Sequence, residues 1–282
     1  MYDYYGNGSD ALLTVSEQPM TGRSLHDTLL RVLRDSAFRE QVLDQCDHAA
    51  ACAHHPEWHV IRRVSKDDLT NMARFLARHY YTERIVRLFR HIRRLSPRTG
   101  RDPRLVLDSP QVQVILDHAV VGSRQTAENL MSCIEEYLLE NDSAIRLQLP
   151  FWRDLVHYQV TMFRLEACRE DQRPVHLPCR SASARIAEFE WDLPAIIAAL
   201  HSSQELLIED KKVASKLLIS ACADQQVITH RCSSSVQLLF EAADGTKTVE
   251  QLRQHAGLSK QHTEEMLGQM KAIGAIQWKD YR

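Results

Sequence analysis

The hydrophobic pattern of this chain changes period once, and that change most constrains its fold. Up to about Cys168 apolar residues recur every three or four positions, whereas beyond Ser183 several segments alternate apolar with polar. A 3.6-residue period places one buried stripe on a helix, and a period of two places one buried face on a strand. Between the two lies Arg169 to Ser183, "REDQRPVHLPCRSAS", polar and with two prolines, as suits an interdomain linker. The expected fold class is therefore α+β. Residues 1–23 form a flexible N-terminus, 24–168 a helical bundle, 169–183 the linker, and 184–282 a winged-helix-like module of three strands and three helices. At 282 residues and 44% hydrophobic, two such cores can be filled.

Local signals place the helices of the first half. Ser24 with Asp27, and Ser65 with Asp68, put a hydroxyl and a carboxylate where a helix start leaves backbone N–H groups free. The second helix carries Leu69, Met72, Ala73, Leu76, Tyr80, Ile85, Leu88, Phe89 and Ile92 as its apolar stripe, and Pro97, Gly100 and Pro103 are expected to break it. Ser109-Pro110 offers a cap followed by proline at the first helical position. Gln111–Ala119, Arg124–Leu139 and Phe151–Cys168 carry further stripes.

The same region concentrates positive charge. Between Ile61 and Arg104 the Lys and Arg residues exceed the acids by about nine, and the rest of the chain is about eleven units negative. A basic helical face has two readings: a solvated surface paired with acids of its own chain, or a dock for an acidic protein. On the second reading Arg87, Arg90 and Arg94 meet the partner. Nucleic acid fits less well, since a basic stripe supplies phosphate contacts and no base-reading element.

Beyond the linker, Ala184–Trp191 alternates as a strand and Pro194–Leu200 reads as a short helix. Two strands follow, Lys216–Ala223 and Gln226–Arg231, joined at Asp224-Gln225. Ser233–Ala243 is helical, Asp244-Gly245-Thr246 turns, and Thr248 with Gln251 caps a helix that stops at Gly257. Ser259 opens the last helix, with Leu267, Met270 and Ile273 on one face before Gly274, and Ile276–Trp278 closes as a short strand.

Chemistry-bearing residues gather in one place, "CDHAAACAHHPEWH", from Cys46 to His59. On a helix His48, Cys52 and His55 share a stripe, with His59 beyond the Pro56 break, which makes a possible three-ligand metal site. The alternatives are a helix end with solvated imidazoles and a partner contact. The seven cysteines (46, 52, 133, 168, 179, 222 and 232) are scattered in a chain too large to need disulfides, so reduced thiols are expected. His79, His91, His118, His157 and His176 stand singly and read as hydrogen-bonded structural residues. No phosphate loop, nucleophile elbow, H-E-x-x-H or C-x-x-C occurs, which favours a binder over an enzyme. No membrane-spanning run or secretory signal is present, so the cytoplasm is expected.

The stretch "SSSVQLLFEAADGTKTVEQLRQHAGLSKQHTEEMLGQMKAIGAIQW" resembles RiPP recognition elements, the modules that hold the leader peptides of ribosomally made natural products. With the helices "RFLARHYYTERIVRLFRHIRR" and "LPFWRDLVHYQVTMFRLEACR" before it, the layout is similar to partner proteins of multinuclear non-haem iron oxidative enzymes. Within that group it looks most like the partner subunit of 3-thiaglutamate biosynthesis. The resemblance implies a noncatalytic subunit, without a cofactor of its own, that binds a precursor peptide and presents its C-terminal cysteine to the iron enzyme for carbon excision.

Physically, such a module holds a peptide by adding it as a strand to an open sheet edge. The candidate edge is Gln226, Val227, Ile228, Thr229, His230 and Arg231, with Met266, Gln269 and Met270 of the last helix as the pocket wall. The bland reading for these residues is core. Two other functions stay open. A winged-helix DNA-binding regulator needs base-reading and phosphate-binding residues on its last helix, where Lys260 and Lys271 face Glu264 and Glu265. A helical metal-dependent oxygenase-like enzyme would draw on carboxylates such as Glu135 and Glu136, without the Glu-x-x-His repeat that bundles use.

Overall fold

A computed structural model describes residues 25–44, 56–61, 63–167, 176–202, 212–222 and 226–278. Its helical half comprises α1 (Leu25–Arg34), α2 (Ser36–Asp44), α3 (Pro56–Ile61), α4 (Lys66–Leu88), α5 (Arg90–Thr99), a 3-10 helix (Pro103–Asp108), α6 (Pro110–Asp117), α7 (Arg124–Leu139), α8 (Ser143–Gln148) and α9 (Trp152–Ala167). Then come β1 (Cys179–Arg180), β2 (Ala184–Phe189), α10 (Leu193–Ser202), β3 (Ser215–Ala221), β4 (Val227–Arg231), α11 (Ser234–Ala242), α12 (Val249–Ala256), α13 (Lys260–Ala272) and β5 (Ile276–Gln277). The fold is α+β and mostly helical, with a small three-stranded antiparallel sheet.

The caps form where the sequence predicts them. Ser65 accepts from Asp68 N–H at 3.1 Å, Ser109 caps α6 with Pro110 behind it, and Thr248 and Gln251 complete a capping box on α12. Gly257 ends α12 at φ 65, a left-handed conformation that favours glycine. The Ser24 cap lies outside the described residues.

Three expectations are corrected. Pro97 does not end its helix: α5 runs through it to Thr99 and stops at Gly100 with φ 67. The interior proline is tolerated because Ser96 Oγ–H donates to the Arg93 carbonyl at 2.9 Å, the acceptor that a residue-97 N–H would otherwise have served. Met72 is 49% exposed, so the buried stripe of α4 runs instead through Leu69, Ala73, Ala77, Tyr81, Ile85 and Leu88. The end of the supposed linker is structured. β1 pairs antiparallel with β5, and Arg180 N–H and Ser181 N–H donate to the carbonyls of Ala243 and Ala275.

The sheet, ordered β2-β3-β4, stands between two cores. Alternate residues of a strand face opposite sides. Leu217 and Ile219, with Ala187 and Phe189, therefore join the large core built on α4, α7 and α9, where Trp152 is fully buried and donates from Nε1 to the Leu138 carbonyl at 3.0 Å. Leu218 points the other way, into a core of Leu239, Phe240, Leu252, Met266, Leu267, Met270 and Ile276. A third cluster, Val32, Val42, Trp58, Ile61 and Leu69, packs the first helices on the start of α4. Among the described residues no helix is long and apolar enough to cross a membrane.

Candidate functional site

The geometry of β4 follows from its ladder. Cys232 N–H donates to Lys216 O and Cys222 N–H to Gln226 O, both at 2.8 Å, so the even-numbered positions of β4 form the bonded pairs with β3. In an antiparallel pair the alternate residues turn their N–H and C=O groups outward. Those residues are Val227, Thr229 and Arg231, and among the described residues no further strand pairs with them.

Side chains fix this strand in place. Thr229 and Tyr158 share a hydroxyl–hydroxyl bond of 3.0 Å, and burial raises the Tyr158 hydroxyl above its ordinary pKa. Val227 packs against the large core. Arg231 Nη2 donates to both oxygens of Asp192 at 2.7 and 2.8 Å. On the opposite face Ile228 is half-buried and His230 exposed. Gln226 lies just before the strand and supplies the carbonyl that Cys222 meets.

The other edge of the sheet differs. Ala221 N–H donates to Ser183 O at 2.9 Å, so Ala184, Ile186 and Glu188 turn their backbone groups outward on β2. Arg185 and Glu188 there are exposed charges, and Glu188 reaches across to Lys216 at 2.7 Å. Charges on an edge strand oppose the pairing of another chain. β4 carries no charge from Val227 to Thr229, which makes it the more receptive edge.

On α13, Gln269 is exposed, whereas Met266 and Met270 are covered by the module's own core. Of the expected pocket wall only Gln269 is open at the surface.

The basic helices are largely paired internally. Arg87 binds the buried Glu166, and Arg84 stands 3.6 Å from the same carboxylate. Arg74 bonds Asp117 at 2.8 Å, Arg78 meets Asp108 at 2.5 Å, and Arg104 meets Asp102 at 2.6 Å. Arg90 and Arg94 are exposed, Arg90 donating from Nε to His91 Nε2 at 3.2 Å. Burial first, then the charges of Arg90, His201 and Arg94, pull the His91 pKa down to about 4, so its ring is neutral.

No protein-family model matches the chain, and no curated protein is similar to it in sequence. The site therefore stands on its geometry.

Of the metal candidates, His48, Cys52 and His55 lie outside the described residues, as does the side chain of His59 on α3. Among the described residues no three His, Cys, Asp or Glu side chains group as a metal site. Glu135 bonds Arg164 at 3.0 Å and Glu136 is exposed. Sequence reasoning missed Tyr158 as the support of Thr229 and missed Glu166 altogether. The one signal for Glu166 was an acid inside the apolar run "TMFRLEAC".

Proposed function

We propose that the chain is a noncatalytic subunit that binds a ribosomally made precursor peptide along the outer edge of β4. It presents the peptide's C-terminal cysteine to a multinuclear non-haem iron enzyme, its heterodimer partner, which holds the iron and excises a carbon. The observation that carries the binding step is the set of outward N–H and C=O groups of Val227, Thr229 and Arg231, on an edge free of charge from Val227 to Thr229 and with Arg231 paired to Asp192. A five-residue strand spans roughly 17 Å, enough to register a short extended segment by backbone bonds. Peptide side chains would then lie alternately beside Ile228 and His230 and beside Val227 and Thr229.

The order of elements supports reading the C-terminal part as a winged-helix-like RiPP recognition element: three sheet strands, then α11, the box-capped α12, and α13 running into Gly274. The cysteine chemistry and the iron partner rest on the sequence resemblance, and a cytoplasmic setting goes with them. The last helix weighs against DNA. Lys260 stands 3.9 Å from Glu264, and the exposed residues of α13 set the acids Glu264 and Glu265 against Lys260, with Gln261, His262 and Gln269 beside them.

Fluorescence polarisation with labelled extended peptides that end in cysteine tests the proposal. Thr229→Pro removes an outward N–H and is expected to weaken binding at least about tenfold, ~1.4 kcal/mol. Thr229→Val loses only the bond to Tyr158 and stays within about twofold. No binding by the native chain, alone or with the iron enzyme, sinks the proposal.

A further inference from the structure

We propose that the β4 edge selects an acidic peptide, in which a Glu or Asp side chain opposite Thr229 on the added strand pairs with Arg90 of α5. The inference rests on the peptide reading above and names the class of peptide that the edge prefers.

A ring of contacts closes around the helical side of β4. Thr229 shares its 3.0 Å hydroxyl bond with Tyr158 of α9. Gln159, next on α9, accepts from Ile92 N–H at 3.1 Å, which seats the start of α5 beside Tyr158. His91 of α5 meets the His201 ring edge-on at 5.1 Å, near the end of α10. Asp192, just before the start of α10, holds Arg231 at the end of β4. Arg90 stands in this ring beside His91, and its charge acts on the Tyr158 hydroxyl to which Thr229 is bonded.

The cations of the ring are unevenly matched. Arg231 has both oxygens of Asp192. Arg90 is exposed and among the described residues bonds no carboxylate; its Nε donates to His91 Nε2 at 3.2 Å. That acceptor is neutral, since burial pulls the His91 pKa down to about 4. Arg94, one turn further on α5, adds its positive charge at His91. The strand itself is free of charge from Val227 to Thr229. A guanidinium beside such an edge attracts a carboxylate and opposes a lysine or arginine.

Register decides which peptide residue meets it. Residues opposed across a ladder project to the same face, with Cβ atoms about 5 Å apart. The peptide residue opposite Thr229 therefore lies on the Tyr158 side, where Arg90 stands. Its neighbours along the strand turn to the face of Ile228 and His230. Charge is selected at alternate positions only.

Fluorescence polarisation on the full chain uses labelled peptides that alternate valine with glutamate, glutamine or lysine and end in cysteine. A slip of two residues then offers Arg90 the same side chain. At low salt the glutamate peptide is expected to bind at least about fivefold more tightly than the glutamine peptide, and the lysine peptide more weakly than either. Arg90→Gln should bring the glutamate and glutamine peptides within about twofold of each other, whereas Arg90→Lys, which keeps the charge, should retain a preference of about threefold or more. Arg98→Gln removes another exposed cation near the far end of α5 and should leave the preference unchanged. Equal affinities for the glutamate and glutamine peptides overturn the inference and leave the peptide reading standing. So does a preference that survives Arg90→Gln, or one that Arg98→Gln lowers as much, because bulk charge then accounts for it. No binding of any of the three peptides overturns the reading and the inference together.

Discussion

The basic helices α4 and α5 and the strand β4 present opposite surfaces. The helices carry most of the chain's conspicuous charge, yet Arg74, Arg78, Arg84 and Arg87 turn to acids of their own chain. β4 carries little charge, yet its outward backbone groups meet no other strand among the described residues. A charged stretch is a docking surface only after its internal partners have been counted. An unremarkable strand becomes one when topology leaves it at an edge.

The largest effect is expected where the two regions share a core. Phe189 of β2 is buried among helical residues, its ring 5.9 Å from His157 and 6.1 Å from Tyr158. Phe189→Ala should cost about 3–5 kcal/mol. In urea the protein should still unfold in one transition at lower midpoint, because the helical half and the sheet lose the same contacts. Two transitions, with the helical one unmoved, would separate the halves and break the comparison.

Next comes the pairing itself. Arg87→Met leaves Glu166 with Arg84 alone, and removing one partner of a buried charge is costly; about 2–3 kcal/mol of stability should go. If Arg87 instead serves chiefly to meet the iron enzyme, stability stays within about 0.5 kcal/mol while binding of the enzyme falls. Combined charge reversal at Arg87, Arg90 and Arg94 that leaves the complex intact removes the basic helices from the interface.

Local chemistry was the most legible part of this fold. The caps at Ser65, Ser109 and Thr248 and the stop at Gly257 depend on residues three or four positions apart, so the sequence contains the whole arrangement. The sequence offered β4 only as a candidate edge; its place at the end of the order β2-β3-β4 comes from strand pairing that no local pattern contains. Period alone could not show what buries a residue. Phe189 and Leu218 both read as core, yet they face different cores. Met266 and Met270 were offered as pocket wall although core is the commoner place for methionine, and the structure buries both. The Arg180–Ala243 and Ser181–Ala275 bonds lie beyond any local window, as does the pairing of Arg87 with Glu166 some 79 positions away.

A pH titration sharpens the contrast for the buried side of α5. His91 is 3% exposed, with Arg90 donating to it, the His201 ring 5.1 Å away and the charge of Arg94 nearby. Its pKa in the folded protein is about 4, against about 6.5 in the unfolded chain. Below about pH 6.5 the unfolded chain takes up a proton that the folded protein refuses, so stability falls as pH drops toward 4 and is fully present above 6.5. The loss should be roughly 2 kcal/mol after screening by solvent around Arg90 and Arg94. His91→Gln should flatten this slope in urea melts; an unchanged slope assigns it to other groups.

The smallest effect tests whether the basic helix truly satisfies its polar groups internally. Ser96 Oγ–H serves the Arg93 carbonyl because Pro97 has no N–H to offer it. Ser96→Ala should therefore cost about 0.5–1 kcal/mol, the net worth of one hydrogen bond. Pro97→Ala restores a backbone donor for the same acceptor, so in that background Ser96→Ala should cost next to nothing. The double-mutant cycle isolates this exchange from any general change in helix propensity, since the Pro97 and the Pro97→Ala backgrounds carry the same serine-to-alanine step. Equal costs with and without Pro97 would mean that the hydroxyl acts elsewhere, and that α5 passes through its proline for a different reason.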